Sequence, residues 1–298
     1  METLCVYWPE SSRFPPECCG SLALESYATV RAVKPPLHIR VLPDRLKTMA
    51  YYRLYNPLPA YLKPLLENAP LRFAPGVAMT ALVDGDIISG SIALTGFYEL
   101  ELSRRIAKAA AQGGRLVDVG SNLGYFSLIW LAARPDNTCI SFEASPRTFA
   151  LLKRNIESNG FQDRCRFEGM ALGKERGSLG FDPGPRSQSG WGGLILDKTP
   201  DTVDVEVFRL DKIITDDEAI SVLKIDTEGA DSWVLQGSEG LLSKSQVQTI
   251  YYEYNKQRAK PLGIGDDEAR ELLERNGYRV EVLSHENETM FEYKATKG

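Results

Sequence analysis

Histidine is nearly missing from this chain: His38 and His285 are the only two in 298 residues. The commonest general base is therefore scarce, and proton transfer here is expected to fall to other side chains. Cysteine is also sparse. Cys5, Cys18, Cys19, Cys139 and Cys165 include no C-x-x-C pair, and Cys18-Cys19 are too close to be two ordinary zinc ligands. An odd number of cysteines without a disulfide framework fits a reducing compartment, and Cys139 and Cys165 are expected as small core hydrophobes. No apolar run approaches the length of a membrane span. The opening residues Met1 to Pro9 lack a basic region followed by an apolar stretch, so no signal peptide is expected. Asn287-Glu-Thr289 then matches a glycosylation acceptor only by chance. A basic excess is missing as well. Thirty-five Lys and Arg face 40 Asp and Glu, a formal net charge of −5 that argues against a nucleic-acid backbone as the main partner. These absences point to a cytoplasmic protein whose partner is neither membrane nor nucleic acid.

What is present is unevenly spread. Eleven of the 17 prolines precede residue 80, Pro15-Pro16 and Pro35-Pro36 among them. That density forbids long regular elements, because proline removes a donor and biases its predecessor away from helix. Residues 1–75 are expected to form an irregular appendage with a short helix or two, the best candidate being Leu46 to Tyr55. Such a piece caps an active site or makes a dimer contact, which leaves a homodimer open.

From residue 76 the pattern becomes regular. Val77 to Val83, Asp84-Gly85-Asp86 and Ile87 to Leu94 read as a hairpin. A helix is expected from about Phe97 to Ala111, stopped by Gln112-Gly113-Gly114. Arg115-Leu-Val-Asp-Val-Gly-Ser-Asn-Leu-Gly-Tyr-Phe-Ser127 then reads as a buried strand, a glycine turn and a helix with Phe126, Ile129, Trp130 and Ala133 on one face. Cys139 to Glu143 is a second strand, and Ser145-Pro146 starts a helix as N-cap and first residue. Arg164 to Glu168 is a third strand. Ser178 to Phe181 pairs with Val203 to Phe208 around residues 182–193, a Gly/Pro/Ser-rich stretch with the composition of a mobile loop. Val222 to Asp226 is a fourth parallel strand, with a helix opening at Thr227 and running through Leu235. Gln248 to Tyr254 is a fifth, followed by a helix over Asp266 to Gly277. A closing hairpin is expected over Tyr278 to Leu283 and Thr289 to Lys294. Strands alternating with helices imply an α/β fold: a Rossmann-like, doubly wound, mostly parallel sheet with an antiparallel C-terminal hairpin. Residues 76–298 form this domain.

A strand, a glycine turn and a helix N-terminus leave backbone amides free to hold a small polar ligand. The spacing selects which. A dinucleotide fingerprint has a glycine where Asn122 stands, and its third glycine is missing. What remains is Asp118-x-Gly120-x-Asn122-x-Gly124, and it resembles motif I of the class I methyltransferases that use S-adenosylmethionine (SAM). Nineteen residues beyond Gly124, Glu143 closes the second strand, where an acid suits ribose hydroxyls. Lys224-Ile-Asp-Thr-Glu-Gly-Ala-Asp231 resembles the K-I-D-x-E-G-x-E element of the FkbM-type methyltransferases. The resemblance extends to Gly96-Phe-Tyr-Glu99, Phe142-Glu143, Met170-Ala-Leu172, Leu210-Asp211 and Glu253, covering roughly residues 96–255. Asp231 departs from the usual glutamate, and Ala144-Ser145 from the more common proline.

The resemblance implies transfer of the SAM methyl to a hydroxyl of a small molecule such as a sugar, a polyketide or another natural product. It also implies a cofactor site of Glu99, Asp118, Gly120, Ser121, Asn122, Gly124, Phe126, Glu143, Ala144, Met170, Ala171 and Asp226. An aliphatic hydroxyl needs a base within reach as it attacks. With histidine so scarce, Asp226, Glu228 and Glu253, at the ends of the fourth and fifth strands, are the catalytic candidates. Each has a structural alternative: Asp226 as a helix cap, Glu228 facing the helix dipole, Glu253 paired with a cation. Asp231 is expected to be solvated or paired with a cation. No residue set is assigned to a metal, although several carboxylates at one rim leave Mg²⁺ open. Trp191 is either a substrate-lid residue or a hairpin tip packed on the body. Two rival functions stand beside methyl transfer: an NAD-dependent oxidoreductase, which Asn122 disfavours, and a non-catalytic SAM-binding subunit.

Overall fold

The computed structural model describes residues 41–58 and 68–298, apart from the side chains of residues 285–287. The expectations placed on residues 1–40, His38, Cys5, Cys18 and Cys19 among them, lie outside the described residues, and so does the His285 side chain. The chain enters through α1 (Asp44–Ala50), which continues as a wider π-helical turn over Tyr51–Tyr55. The short strands β1 (Ala69–Pro70) and β2 (Ala78–Met79) pair antiparallel. Ala69, Leu71 and Ala74 join the same core as Met79, so this stretch is built into the body.

The hairpin expected over residues 77–94 is not formed. Its second arm is α2 (Ile87–Thr95), capped by Asp86, whose carboxylate accepts from Ser89 N at 2.8 Å. The apolar run looks alternating, but the Asp-x-x-Ser cap chemistry decides for helix. Its close fit also depends on Gly90, where a Cβ would meet the Tyr51 hydroxyl at 2.5 Å. The first arm stays extended, its amides satisfied by side chains distant in sequence: Ala78 N by Asn159, and Thr80 N and Ala81 N by Asn155.

The body follows in order: α3 (Leu100–Ala110), β3 (Arg115–Val119), α4 (Tyr125–Ala133), β4 (Thr138–Phe142), α5 (Pro146–Ser158) and β5 (Cys165–Glu168). Then come β6 (Ala171–Leu172), β7 (Gly177–Asp182), β8 (Gly193–Ile195), β9 (Val203–Phe208), α6 (Leu210–Ile213), β10 (Ile220–Ile225), α7 (Asp231–Gln236) and α8 (Glu239–Ser243). The chain closes with β11 (Val247–Asn255), α9 (Lys256–Ala259), α10 (Glu268–Arg275), β12 (Tyr278–Asn287) and β13 (Met290–Lys297). Seven strands make the main sheet in the order β12-β13-β11-β10-β3-β4-β5. β5, β4, β3, β10 and β11 run parallel, and the β12–β13 hairpin closes the β11 edge antiparallel. This is the expected Rossmann-like doubly wound sheet. The closing hairpin runs further than expected because the polar residues 284–287 stay in the ladder, with register shifts near Val282 and His285.

Sheet order reverses at β3: β4 and β5 lie to one side, β10 and β11 to the other. The crevice at the carboxyl ends of β3 and β10 is where such sheets bind ligands. One core lies on the face with α3, α4 and α5, and a second on the face with α7, α8 and α10. α4 is more deeply placed than its one-faced reading suggested: every residue from Tyr125 to Leu131 is buried, because α3 covers the side turned away from the sheet. Leu128, Ile129, Trp130 and Leu131 are fully buried, each contributing about 1.5–3 kcal/mol. A smaller four-stranded sheet, β6-β9-β7-β8, stands beside the main one, and its β7–β9 antiparallel pair is the one expected from sequence.

Candidate functional site

The strand-to-helix turn after β3 is held open by left-handed backbone at Gly120 (φ 71°), Asn122 (φ 49°) and Gly124 (φ 84°). Glycine at 120 is required twice over. Its φ is positive, and a Cβ there would lie 1.8 Å from the Asp226 carbonyl oxygen, where the loops after β3 and β10 touch. At Gly124 a Cβ would meet Leu152 Cδ1 of α5 at 2.6 Å. The turn leans on β4, with Gly120 N and Ser121 N both donating to Phe142 O at 3.0 and 2.9 Å.

Glu143 is the next residue after β4 and is 7% exposed. Its Oε2 accepts from Asn122 N, and its Oε1 from Ser145 N and Thr148 Oγ1, each at 2.8 Å. Burial pushes its pKa up, while these three donors and Lys224 act against that shift. A carboxylate gripped this way is aimed rather than free, and it lines a cavity of about 760 Å³ at the switch point. That volume is in the range of small-molecule sites, roughly 300–1,000 Å³.

The cavity brings together most of the residues singled out from sequence. Glu99, Gly120, Ser121, Asn122, Phe126, Glu143, Ala144, Met170, Ala171, Asp226, Glu228, Glu253 and Trp191 all line it. Gly124 shapes the turn from behind. Asp118 lies beneath the cavity, fully buried, with Oδ2 accepting from Ser127 Oγ at 2.6 Å and Oδ1 3.7 Å from Lys224 Nζ. Asp231 is not solvated or paired with a cation. It is buried, and its carboxylate accepts from Thr227 N and Thr227 Oγ1, closing the turn before α7. The helix also starts later than expected, at Asp231, because Glu228 (φ 52°) and Gly229 (φ 104°) are left-handed and interrupt it. That interruption keeps Thr227 and Glu228 in a turn that lines the cavity.

Lys224, quoted in the motif but assigned no role, is the centre of the charge pattern. It is 3% exposed, directly opposite Asp118 in the β3–β10 register, with its ammonium 3.1 Å from Gly120 O and 3.1 Å from Asp226 Oδ2. Burial opposes its charge, but Asp226, Asp118 and Glu99 outweigh that and hold it above the ordinary lysine range. Its neighbours at spacing two on one strand share a face, which was readable. The Asp118 contact needed the strand register.

Around this cation stand more acids than it can neutralise. Glu99 is the left-handed residue ahead of α3, and Glu253 on β11 pairs in register with Glu292 on β13. Burial and then Asp226 push Glu99 and Glu253 well above the ordinary carboxylate range. Glu253 Oε1 is buried without a hydrogen-bond partner, and among the described residues no cation pairs with it. Burial, then Asp226, raises Glu228 to about 7, opposed by Arg258 and by the Asn255 side chain. No Asp226 side-chain hydrogen bond caps α7; the residue N-terminal to that helix is Ala230. Among the described residues, no group of three His, Cys, Asp or Glu side chains is placed to hold a metal ion.

The stretch 182–193 has the composition of a mobile loop but is strapped down. Ile87 N donates to Ser187 O at 3.1 Å, Ser189 N to Asp86 Oδ1 at 2.7 Å, and Arg258 to the Trp191 carbonyl at 2.7 Å. Trp191 stays 51% exposed at the cavity rim, so it does not pack back on the body as a tip residue would. Asp86 is legible in the sequence only as the cap of α2; its second contact, to Ser189 about a hundred residues away, is not, and Ser189 itself carried no signal.

Residues 118–280, more than half of the chain, match the family model for the methyltransferase FkbM domain. A relative named Methyltransferase 1, from Beauveria bassiana, is 28% identical over 143 residues, 41% of this chain and 57% of that protein. The 2-O-methyltransferase NoeI of Sinorhizobium fredii is 28% identical over 159 residues, 48% of this chain and 63% of that protein. Each match thus spans less than two thirds of the relative's length. Among solved structures, a precorrin-6y methyltransferase from Geobacter metallireducens superposes with a TM-score of 0.37 and 11% identity, over 65% of this chain and 89% of that one. No helix among the described residues is long and apolar enough to cross a membrane.

Proposed function

The chain belongs to the methyltransferase FkbM domain family, and from that premise we propose that it moves the methyl group of SAM onto a hydroxyl of a small molecule. The observation that carries this is one cavity lined by two unlike sets of residues. Gly120, Asn122 and the clamped Glu143 line it, a set suited to a nucleoside, together with the carboxylates Asp226, Glu228 and Glu253. The residues fit the donor on the structure's own terms. Glu143 Oε2 carries one donor and keeps room for another, and the Asn122 side-chain oxygen is buried without a partner. Glu143 would take the ribose hydroxyls. Bound there, SAM supplies a methyl already activated on a sulfonium.

The protein's own work is alignment and proton transfer. Asp226, fixed by Lys224 at 3.1 Å, orients the incoming hydroxyl. Glu228, with a pKa of about 7, is the group suited to take its proton, since a base titrating near working pH is both available and strong enough. Glu253 is held neutral by its surroundings and can donate a hydrogen bond to the acceptor. An oxygen acceptor is also in keeping with NoeI being a 2-O-methyltransferase. On this reading the partner is a small molecule, and neither nucleic acid nor membrane is needed. No metal-assisted step is part of the proposal.

The test is incubation with methyl-labelled SAM and matched panels of polyhydroxylated and amine-bearing compounds. Label is expected in an ether carbon. Label found only on nitrogen, or calorimetry in which SAM does not bind while NADH does, would overturn the assignment.

A further inference from the structure

Ser189 is the one polar residue of the strap that is buried, 7% exposed, and lines the cavity with its hydroxyl lacking any hydrogen-bond partner. Buried hydroxyls are nearly always satisfied. Its main chain is already accounted for: Ser189 N donates to Asp86 Oδ1 at 2.7 Å, and the other oxygen of Asp86 caps α2 through Ser89 N at 2.8 Å. The strap is therefore fixed by its backbone, and the Ser189 side chain is left over. Its neighbour Gly190 lies against the turn after β3. A Cβ built there would be 4.0 Å from Asn122 Nδ2 and 2.9 Å from Ile88 Cδ1. Asn122, which also lines the cavity, contributes the second unpartnered atom, its buried Oδ1.

We propose that Ser189 is a donor-binding residue: its hydroxyl, together with Asn122 Oδ1, receives a hydrogen-bonding group of SAM, so that the strap closes over the donor. Asn122 Oδ1 can only accept, so the group it meets must donate; Ser189 can do either. A hydroxyl or an ammonium satisfies both, whereas a carboxylate would face the Asn122 oxygen unfavourably. The ribose and the amino-acid end of the donor carry groups of that kind. The proposal rests on the donor assignment above, and it adds to the site a segment that lies about seventy residues beyond the glycine turn.

S-adenosylhomocysteine, which binds without turnover, is the probe, titrated calorimetrically into the full chain. Ser189→Ala keeps the amide that Asp86 holds, so the strap stays in place, and affinity should fall roughly three- to tenfold, the worth of one neutral hydrogen bond. A parallel titration with adenosine locates the contact: loss with both ligands assigns the ribose, loss with S-adenosylhomocysteine alone assigns the ammonium end. Should Ser189→Ala not fold, Trp191 two residues on reports instead. Its emission in the parent should change on titration, and that change should vanish in Trp191→Phe. Affinity within twofold of the parent in Ser189→Ala, or Trp191 emission indifferent to the ligand, overturns the proposal. If the parent binds and Glu143→Ala does not, such a result removes Ser189 alone. If the parent itself fails to bind, the donor assignment falls with it.

Discussion

Lys224 and Asp226 sit two residues apart on one strand end, and their 3.1 Å contact sets what each neighbouring acid can do. Asp226, held by Lys224, is well placed to orient a group, whereas Glu228, raised to about 7 mainly by burial and by Asp226, is ready to exchange a proton at neutral pH. Asparagine at 226 keeps size and shape but loses the charge. Single-turnover assays on Asp226→Asn at saturating SAM should show methyl transfer slowed about 10²-fold or more, with SAM still bound. Transfer within a few-fold of the parent would reduce Asp226 to a structural partner of Lys224. The proton step has its own signature. The parent's rate should rise with pH through about 7 as Glu228 ionises, and Glu228→Gln should lose that limb together with most of its turnover. An unchanged pH profile in this variant would take the proton away from Glu228.

The element that shapes the site most is the strap between β7 and β8. Its three anchors come from different parts of the chain: Ile87 and Asp86 at the start of α2, and Arg258 in α9. Gly193 packs at its far end, where a Cβ would lie 3.1 Å from the Glu228 carbonyl oxygen, so the strap and the turn before α7 are in contact. Trp191 lines the cavity and is half exposed, and on the proposed function it meets the acceptor. Trp191→Ala should therefore raise the acceptor's KM severalfold and leave SAM affinity intact, the converse of Ser189→Ala. Equal weakening of both ligands, or a lower melting temperature with normal KM, would assign Trp191 to packing instead.

At the scale of the whole molecule, the acid cluster is a cost that folding accepts. A carboxylate with a raised native pKa holds its proton in the folded state at pH values where the unfolded chain has released it. The unfolded state then binds fewer protons, and stability falls as pH rises. The window opens at the ordinary glutamate value of 4.5, runs to about 7 for Glu228, and extends further for Glu99 and Glu253. The melting temperature of the parent should accordingly decline from about pH 5 into the neutral range and beyond. Glu253→Gln, which removes the most strongly shifted of these groups, should flatten that decline and melt higher than the parent at pH 8. A parent whose melting temperature is flat or rising across that interval would show that the cluster is better solvated than its burial implies.

Local chemistry determined much of this protein before any tertiary contact was known. The β3 turn with Gly120, Asn122 and Gly124, the acid after β4, the Ser145-Pro146 helix start and the succession of parallel strands along the chain were legible because turn geometry, caps and burial period are written in neighbouring residues. The α2 segment reads as a strand by its apolar run, which fits either period, and it is the Asp86 cap that settles it as helix. The start of α7 was misplaced because two left-handed residues, one of them a glutamate, hold the turn open. Only the tertiary structure decided the rest. Lys224 faces Asp118 through strand register, Glu253 faces Glu292 through a hairpin that returns from the chain's end, and Ser189 reaches the cavity on an anchor supplied by Asp86. Each of these depends on separations of dozens to a hundred residues being closed by the packing of a common core, and no local pattern encodes which distant groups that packing brings face to face.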